Sequence, residues 1–420
     1  MEEHIVFDSY LTKPDRLVLE NLTDDLRLQK EAEDEKDADV RNEATISLLQ
    51  AMNNAEASEF EPTIFATVDY KDLQSKPLIR FLERYSKIAQ SVVRVETDVV
   101  MFTHLLLYFT TSVPSAIFLF YHFTWVHGVL HAVMQLYYLG PYTLMMHQHI
   151  HMRGILRKQF AFFDHLFPYI LDPLLGHTWN AYYYHHVKHH HVEGNGPGDL
   201  SSTLRFQRDN IWHFMYYAGR FLTLIWFDLP LYFFRTGKYR SAAKSALCEY
   251  SYYAALYFAY RFNPNATVMV FMIPLLAFRI GAMVGNWAQH AFINSEEPDS
   301  DYRSSVTLID VSSNRFSFND GYHTSHHLNP MRHWREHPVS FLKGKKTYAE
   351  QEALVFHNID YIFITVKLML KDYEHLARCM VPITKEQMAM TLDERIAFLK
   401  GHTRQFSEEE IQAKFKPKAF

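Results

Sequence analysis

Between Tyr184 and His191 the chain places five histidines within seven residues, His185, His186, His189, His190 and His191. Imidazoles at that density serve neither an apolar core nor an ordinary surface, and they suit metal ligation. On an α-helix, at about 100° per residue, His186, His189 and His190 fall within one arc of roughly 100°, so all three can address one ion. Two further stretches have helix-compatible spacings: His147 with His151, and His323 with His326 and His327. Asn286 and His290 form another i, i+4 pair, in which His290 can ligate directly and Asn286 either holds a metal-bound water or makes a helix-terminal hydrogen bond. Neutral imidazole accepts zinc, copper, nickel and iron, so ligand type does not name the metal. Number is more informative, because a structural zinc takes four ligands whereas the three clusters offer at least eight histidines. Two metal ions are implied.

The elements that must carry these clusters are apolar. The 420 residues are 48% hydrophobic and 15% aromatic, which fits a membrane-embedded body with polar ends. The net charge of −5 leaves no basic face for a phosphate backbone, which argues against nucleic-acid binding. Cys248 and Cys379 are the only cysteines, so a disulfide framework, a cysteine-type zinc site and an iron–sulfur module are all excluded. Any electrons must come from a separate protein. The start, Met1-Glu2-Glu3-His4, has the form of neither a signal peptide nor a transit peptide, and the N-terminus is expected in the cytosol.

The chain divides into a polar cytosolic region 1–98, a membrane domain 99–340 that carries the clusters, and a cytosolic helical region 341–420. The acidic run Glu31 to Asp37 reads as a solvated, partly disordered face. From Val99 to Met152 there is no Asp, Glu, Lys or Arg, which accommodates two spans near 100–121 and 125–146. His104, His122, His127 and His131 lie in or between them without cluster spacing and are read as packing or water-binding residues. Residues 155–184 are aromatic and suit interfacial helices. Of three later apolar segments, 211–234 contains Arg220, Asp228 and Pro230 and precedes a basic connector, so it is laid on the cytosolic interface. The segments 245–262 and 266–288 then cross, turning at Asn263-Pro264-Asn265. With four spans all clusters and both termini share the cytosolic side. The predicted fold class is thus all-α, an integral membrane four-helix body with a cytosolic helical cap.

Beyond residue 340, the apolar stripe over 350–377 suits a surface helix better than a fifth span. The end, with Lys416 and Lys418 fifth and third from the terminus, resembles the dilysine retrieval signal of endoplasmic-reticulum membrane proteins.

Over roughly residues 100–340 the sequence resembles the membrane fatty acid desaturase superfamily, whose mark is three histidine boxes on a four-span fold. His147 to His151 matches HxxxH, His186 to His190 and His323 to His327 both match HxxHH, and Asn286 to His290 is similar to the NxxxH element of acyl-CoA desaturases. The resemblance implies two non-haem iron ions, O2 as co-substrate, a lipid or acyl-thioester substrate, and a cytochrome b5-like or ferredoxin-like electron donor. The second box also reads as HxxxHH through His186, His190 and His191, and Pro197-Gly198-Asp199 after it resembles integral-membrane alkane hydroxylases, as does His323 to Arg332. α-Helical geometry prefers His189, since an i, i+5 pair lies about 140° apart, and the downstream sequence prefers His191. Asp164, Asp199, Asp310 and Asp320 are candidates for carboxylates that fix imidazole tautomers. Arg332, Arg335, Lys343, Lys345 and Lys346 follow the third box, either as ordinary surface or to meet carrier phosphates and anionic lipid heads.

Rival classes make different demands. A metal-ion transporter places its ligands near the bilayer midplane, and a zinc-dependent membrane hydrolase or receptor needs about three ligands and an open position.

Overall fold

A computed structural model describes residues 5, 7, 8, 11–31, 35–309 and 316–415. The described residues are mostly helical, and the chain forms two compact units. One comprises residues 62–192 and 218–283, and the other comprises 1–61, 193–217 and 284–417.

In the first unit an apolar run, Val99–Tyr121, is helical in two pieces, Val99–Thr110 and Ser112–Tyr121. The next helix, Trp125–Met152, is capped where Thr124 Oγ1 accepts from His127 N, and it ends on Arg153 in the left-handed conformation (φ 56°). Gly154 (φ 115°) completes the reversal, at a point where any Cβ would overlap the Asp164 carboxylate. Helix Ala161–Leu174 leads through Gly176 to a π-helix, Tyr183–His190. Helix Tyr239–Phe262 stops at Asn263, whose side chain caps Pro264–Thr267 by accepting from Ala266 N. The helix break falls at Asn263, the first residue of the expected turn, and Pro264 and Asn265 already belong to the next helix.

Two apolar helical runs, Val99–Tyr121 and Pro264–Gln289, are long and apolar enough to cross a membrane. Helices also occupy the other two expected spans, as Trp125–Met152 and Tyr239–Phe262, without reaching that apolarity over the required length. The histidines read as packing residues pair locally: His104 Nδ1 lies 2.9 Å from Tyr108 Oη, and Ser115 Oγ lies 2.8 Å from both His127 Nε2 and His131 Nδ1.

The second unit holds a small sheet that the sequence reading lacked. Strands β1 (Val306–Leu308) and β2 (Leu354–Phe356) pair in parallel, and β2 pairs antiparallel with β3 (Met380–Val381). The strands are buried throughout, as short apolar β-branched and aromatic runs require. This corrects the expected surface helix over 350–377, which is instead β2 followed by helices Tyr361–Met369 and Tyr373–Cys379. The N-terminal stretch forms helices Lys13–Glu31 and Glu35–Asn53, which bury Val18, Leu19, Leu22, Ile46 and Leu49 beside Phe341 and Leu342. Residues 32–34 of the acidic run, and Lys416–Phe420, lie outside the described residues.

Four of the basic residues after the third histidine cluster are engaged within this unit, among them Lys346, which pairs with Asp39 at 3.2 Å. Arg335 is buried and donates to Asn53 Oδ1 (2.8 Å), Glu61 O (2.7 Å) and Met52 O (3.2 Å). Lys345 pairs with Asp25 at 2.5 Å, and Arg332 Nη1 donates to Ser325 O at 2.6 Å.

Candidate metal centre

In the first unit, four imidazoles converge from two elements. His147 and His151 stand one turn apart in the last turns of Trp125–Met152, and His186 and His191 come from the π-helix and the residue after it. One ring nitrogen from each lies within 4.8 Å of those of the other three. His186 Nε2 is 2.8 Å from His147 Nε2 and 3.0 Å from His191 Nε2. Two imidazole nitrogens bound at right angles to one ion, each about 2.1 Å from it, stand about 3.0 Å apart, so the donor set fits a metal. Burial, and then its neighbours His191, His147, His151 and His190, hold the His186 imidazole well below its usual pKa and so in the neutral, ligating form.

The π-helix is what groups His191 with His186. The His191 N–H bonds to His186 O, an i→i+5 closure that brings residue i+5 round to the face of residue i. The α-helical geometry expected for this stretch is corrected here, and with it the 140° separation. His189 is fully buried, with its ring 4.2 Å from that of Tyr232. His190 stacks on His186 at 5.5 Å.

In the second unit, His290 follows helix Ile273–Gln289, and His323 and His327 lie one turn apart on helix His323–Leu328. Their ring nitrogens also lie within 4.8 Å of one another, with His290 Nε2 3.2 Å from His323 Nε2. Two of the outer ring nitrogens face an orienting acceptor. His290 Nδ1 lies 2.7 Å from Ser304 O, which directs Nε2 inward, and His327 Nδ1 lies 3.4 Å from Asp301 Oδ1. The main chain at His290 is held as well: Thr203 Oγ1 donates to His290 O (2.7 Å), and the fully buried Arg208 donates through Nε to Ala291 O (2.9 Å). Arg208 also donates to Thr203 O, Phe206 O, His402 O and Arg404 O, and burial pushes its pKa down to about 9, so it stays charged at neutral pH. His326 is buried, its ring 6.1 Å from those of His323 and His337.

The remaining sequence candidates have other engagements. Asn286 Nδ2 donates to Ser201 O (2.9 Å) and Tyr217 Oη (2.7 Å). Asp164 faces His149 (3.4 Å), which stands between His147 and His151 in sequence. Asp199 accepts from the Ser201 N–H and hydroxyl. Asp320 accepts from Gln289 Nε2 at 2.9 Å, and burial pushes its pKa up to about 7. Asp310 lies outside the described residues.

The family model for fatty acid desaturases matches residues 123–357, more than half of the chain and every histidine of the two converging sets. The chain belongs to the fatty acid desaturase family. Membership makes it an oxidoreductase of the diiron type and a membrane protein of lipid metabolism, in keeping with the two apolar helical runs and the two histidine sets. No curated protein matches the chain. No solved structure matches it either.

Sequence reasoning missed Asp301, Thr203 and Arg208. Asp301 stands 26 positions before His327, and Arg208 is one arginine in a polar loop. Neither carries a local spacing signal, because each acts on a partner brought near only by the fold.

Proposed function

We propose that the protein is an O2-dependent acyl desaturase acting at the cytosolic face of the endoplasmic-reticulum membrane. The observation that carries this reading is the pair of all-imidazole sets, one of four histidines and one of three, at the ends of long helices in a desaturase-family chain. His147, His151, His186 and His191 would hold one iron, and His290, His323 and His327 would hold the other. When bound, the diiron centre supplies O2 activation and hydrogen removal from an unactivated carbon. The protein's own part is orientation. Ser304 O and Asp301 fix the tautomers of His290 and His327, burial keeps His186 neutral, and Thr203 with Arg208 holds the His290 backbone. A cytochrome b5-like or ferredoxin-like donor would supply the electrons.

A second reading, hydroxylation of an alkyl or acyl chain, is favoured by the grouping of His186 with His191, the spacing that carries the likeness to alkane hydroxylases. The two reactions share the first hydrogen removal and diverge on whether the carbon loses a second hydrogen or gains oxygen, which small shifts in substrate placement decide.

Metal analysis of the purified chain, followed by product analysis after turnover with a saturated acyl substrate, tests both readings. Two irons per chain and an alkene product are expected. An alcohol selects the second reading, and a single zinc sinks both. Sidedness has its own test: a cysteine at Ser241, in the basic connector, is expected to be labelled from the cytosol, and lumenal labelling would overturn the arrangement.

A further inference from the structure

Helix Tyr361–Met369 is apolar on two opposite faces. One face packs inward: Ile364, Thr365 and Leu368 are buried, and Ile364 and Leu368 join a core with Phe292, Phe356 and Leu376. The other is bare. Ile362 is 61% exposed, Phe363 56%, Val366 43% and Leu370, just past the helix end, 70%. At about 100° per residue these four fall within an arc of roughly 100°, opposite the buried one. A helix that is apolar all round belongs in an apolar surrounding, and a contiguous exposed apolar face marks an interaction surface.

Depth identifies the occupant. Thr365 Oγ1 donates to Val284 O at 3.0 Å, and Val284 lies within the apolar run Pro264–Gln289 that is long enough to cross a membrane. Val284 precedes the end of that run by five residues, so it lies about 8 Å inside it along the helix axis. A helix tied at that level stands at the boundary between head groups and acyl chains, the depth at which amphipathic interfacial helices settle. Beside the bare face the exposed Lys371 can carry an ammonium group to anionic head groups, while Lys367 is paired with Asp372 at 2.8 Å.

We propose that the face formed by Ile362, Phe363, Val366 and Leu370 is seated in the bilayer leaflet on the histidine side of the membrane. This rests on the reading of the chain as a membrane enzyme. It makes the helix a lipid-bound brace for the histidine set of its own unit. Its first residue, Tyr361, donates through Oη to Gly321 O (2.9 Å) and Asp320 O (3.3 Å), and its ring lies 6.4 Å from that of His323. The helix start is itself fixed, since Asp360 Oδ1 accepts from Phe363 N at 2.9 Å. Contact with lipid on one face is thereby coupled to the chain entering His323 on the other.

The test uses the full chain in nanodiscs of phosphatidylcholine and phosphatidylserine, with Cys248→Ser to remove the half-buried native thiol. Single cysteines at Val366 and, separately, at Leu370 carry a small environment-sensitive fluorophore. Leu276, 55% exposed within the apolar run, serves as the lipid control, and Lys346, whose side chain is 79% exposed, serves as the water control. Lipids spin-labelled near the head-group end of the chain are expected to quench the labels at Val366 and Leu370 about threefold more than iodide does, and lipids spin-labelled near the methyl end to quench Leu276, which lies midway along the apolar run. Quenching by iodide at both sites, with Leu276 quenched by lipid, overturns the proposal and leaves the membrane reading standing. Protection from both quenchers also overturns it, because a protein partner then covers the face. Iodide quenching at Leu276 as well would remove the membrane reading itself.

Discussion

His191 and His189 are two residues apart and lead in different directions. His191 Nε2 points at His186 Nε2, whereas the His189 ring packs on Tyr232. If this grouping holds the metal, His191→Ala removes one of four converging imidazoles and opens the site to water. The expected outcome is loss of about one iron per chain and a fall in turnover of at least roughly 100-fold, beyond the 10–100-fold typical when only an orienting partner is lost. His189→Ala is expected to keep both irons and to lower stability by about 1–3 kcal/mol through lost packing. Iron quantification on the two folded variants checks this, and the opposite pattern would return the ligand role to His189. That His147 and His151, and likewise His323 and His327, share a helix face was legible in residue type and spacing, because histidines one turn apart on a helix need no tertiary information to do so. The orienting partners were not legible. Asp301, Ser304 and Thr203 reach His327 and His290 only through folding, and a carbonyl acceptor such as Ser304 O leaves no trace in residue identity at all.

At the scale of the element, the π-helix Tyr183–His190 explains why two sequence arguments conflicted. Periodicity assumed the α-helical turn and excluded His191, while the downstream sequence included it. A widened turn resolves the conflict, and such turns concentrate at functional sites because they re-aim side chains at the expense of weaker backbone bonding. Nothing in a window of His, Tyr, Val and Lys announces one. Removing a single residue therefore makes a sharp test. Deleting the exposed Lys188 is expected to let the segment close as an ordinary α-helix in which His191 stands four residues after His186, about 40° away round the axis, so that the two imidazoles keep a common face. Helix content by circular dichroism should stay as it is, and the iron held by this set should be retained. Loss of that iron from a folded deletion variant would show that the widened turn does more than bring His191 round to the face of His186.

Over the whole molecule, the histidine sets stand at the ends of long apolar helices: His147 and His151 close Trp125–Met152, and His290 follows Ile273–Gln289. Under the proposed function an acyl chain would approach the site along these helices, and their small residues mark where there is room. Gly281, Ala282, Val284 and Gly285 form a run of small side chains, which suits either close helix packing or space for methylenes. Among the described residues, a Cβ at Gly281 or Gly285 would meet no atom within 4 Å, so close packing against a neighbouring helix is not what these glycines provide. Gly285 lies five residues before His290, about 8 Å along the helix. Gly285→Leu is accordingly expected to fold, to keep its iron, and to melt within a few degrees of the parent chain. If the open space belongs to the acyl path, the added side chain excludes methylenes near the reacting carbon. Preference then shifts to shorter chains, with the longest accepted substrate losing roughly 10-fold or more in kcat/KM for each methylene displaced. Competition between acyl chains of graded length measures this directly. An iron-loaded Gly285→Leu with an unchanged length profile would assign that glycine face to bulk lipid.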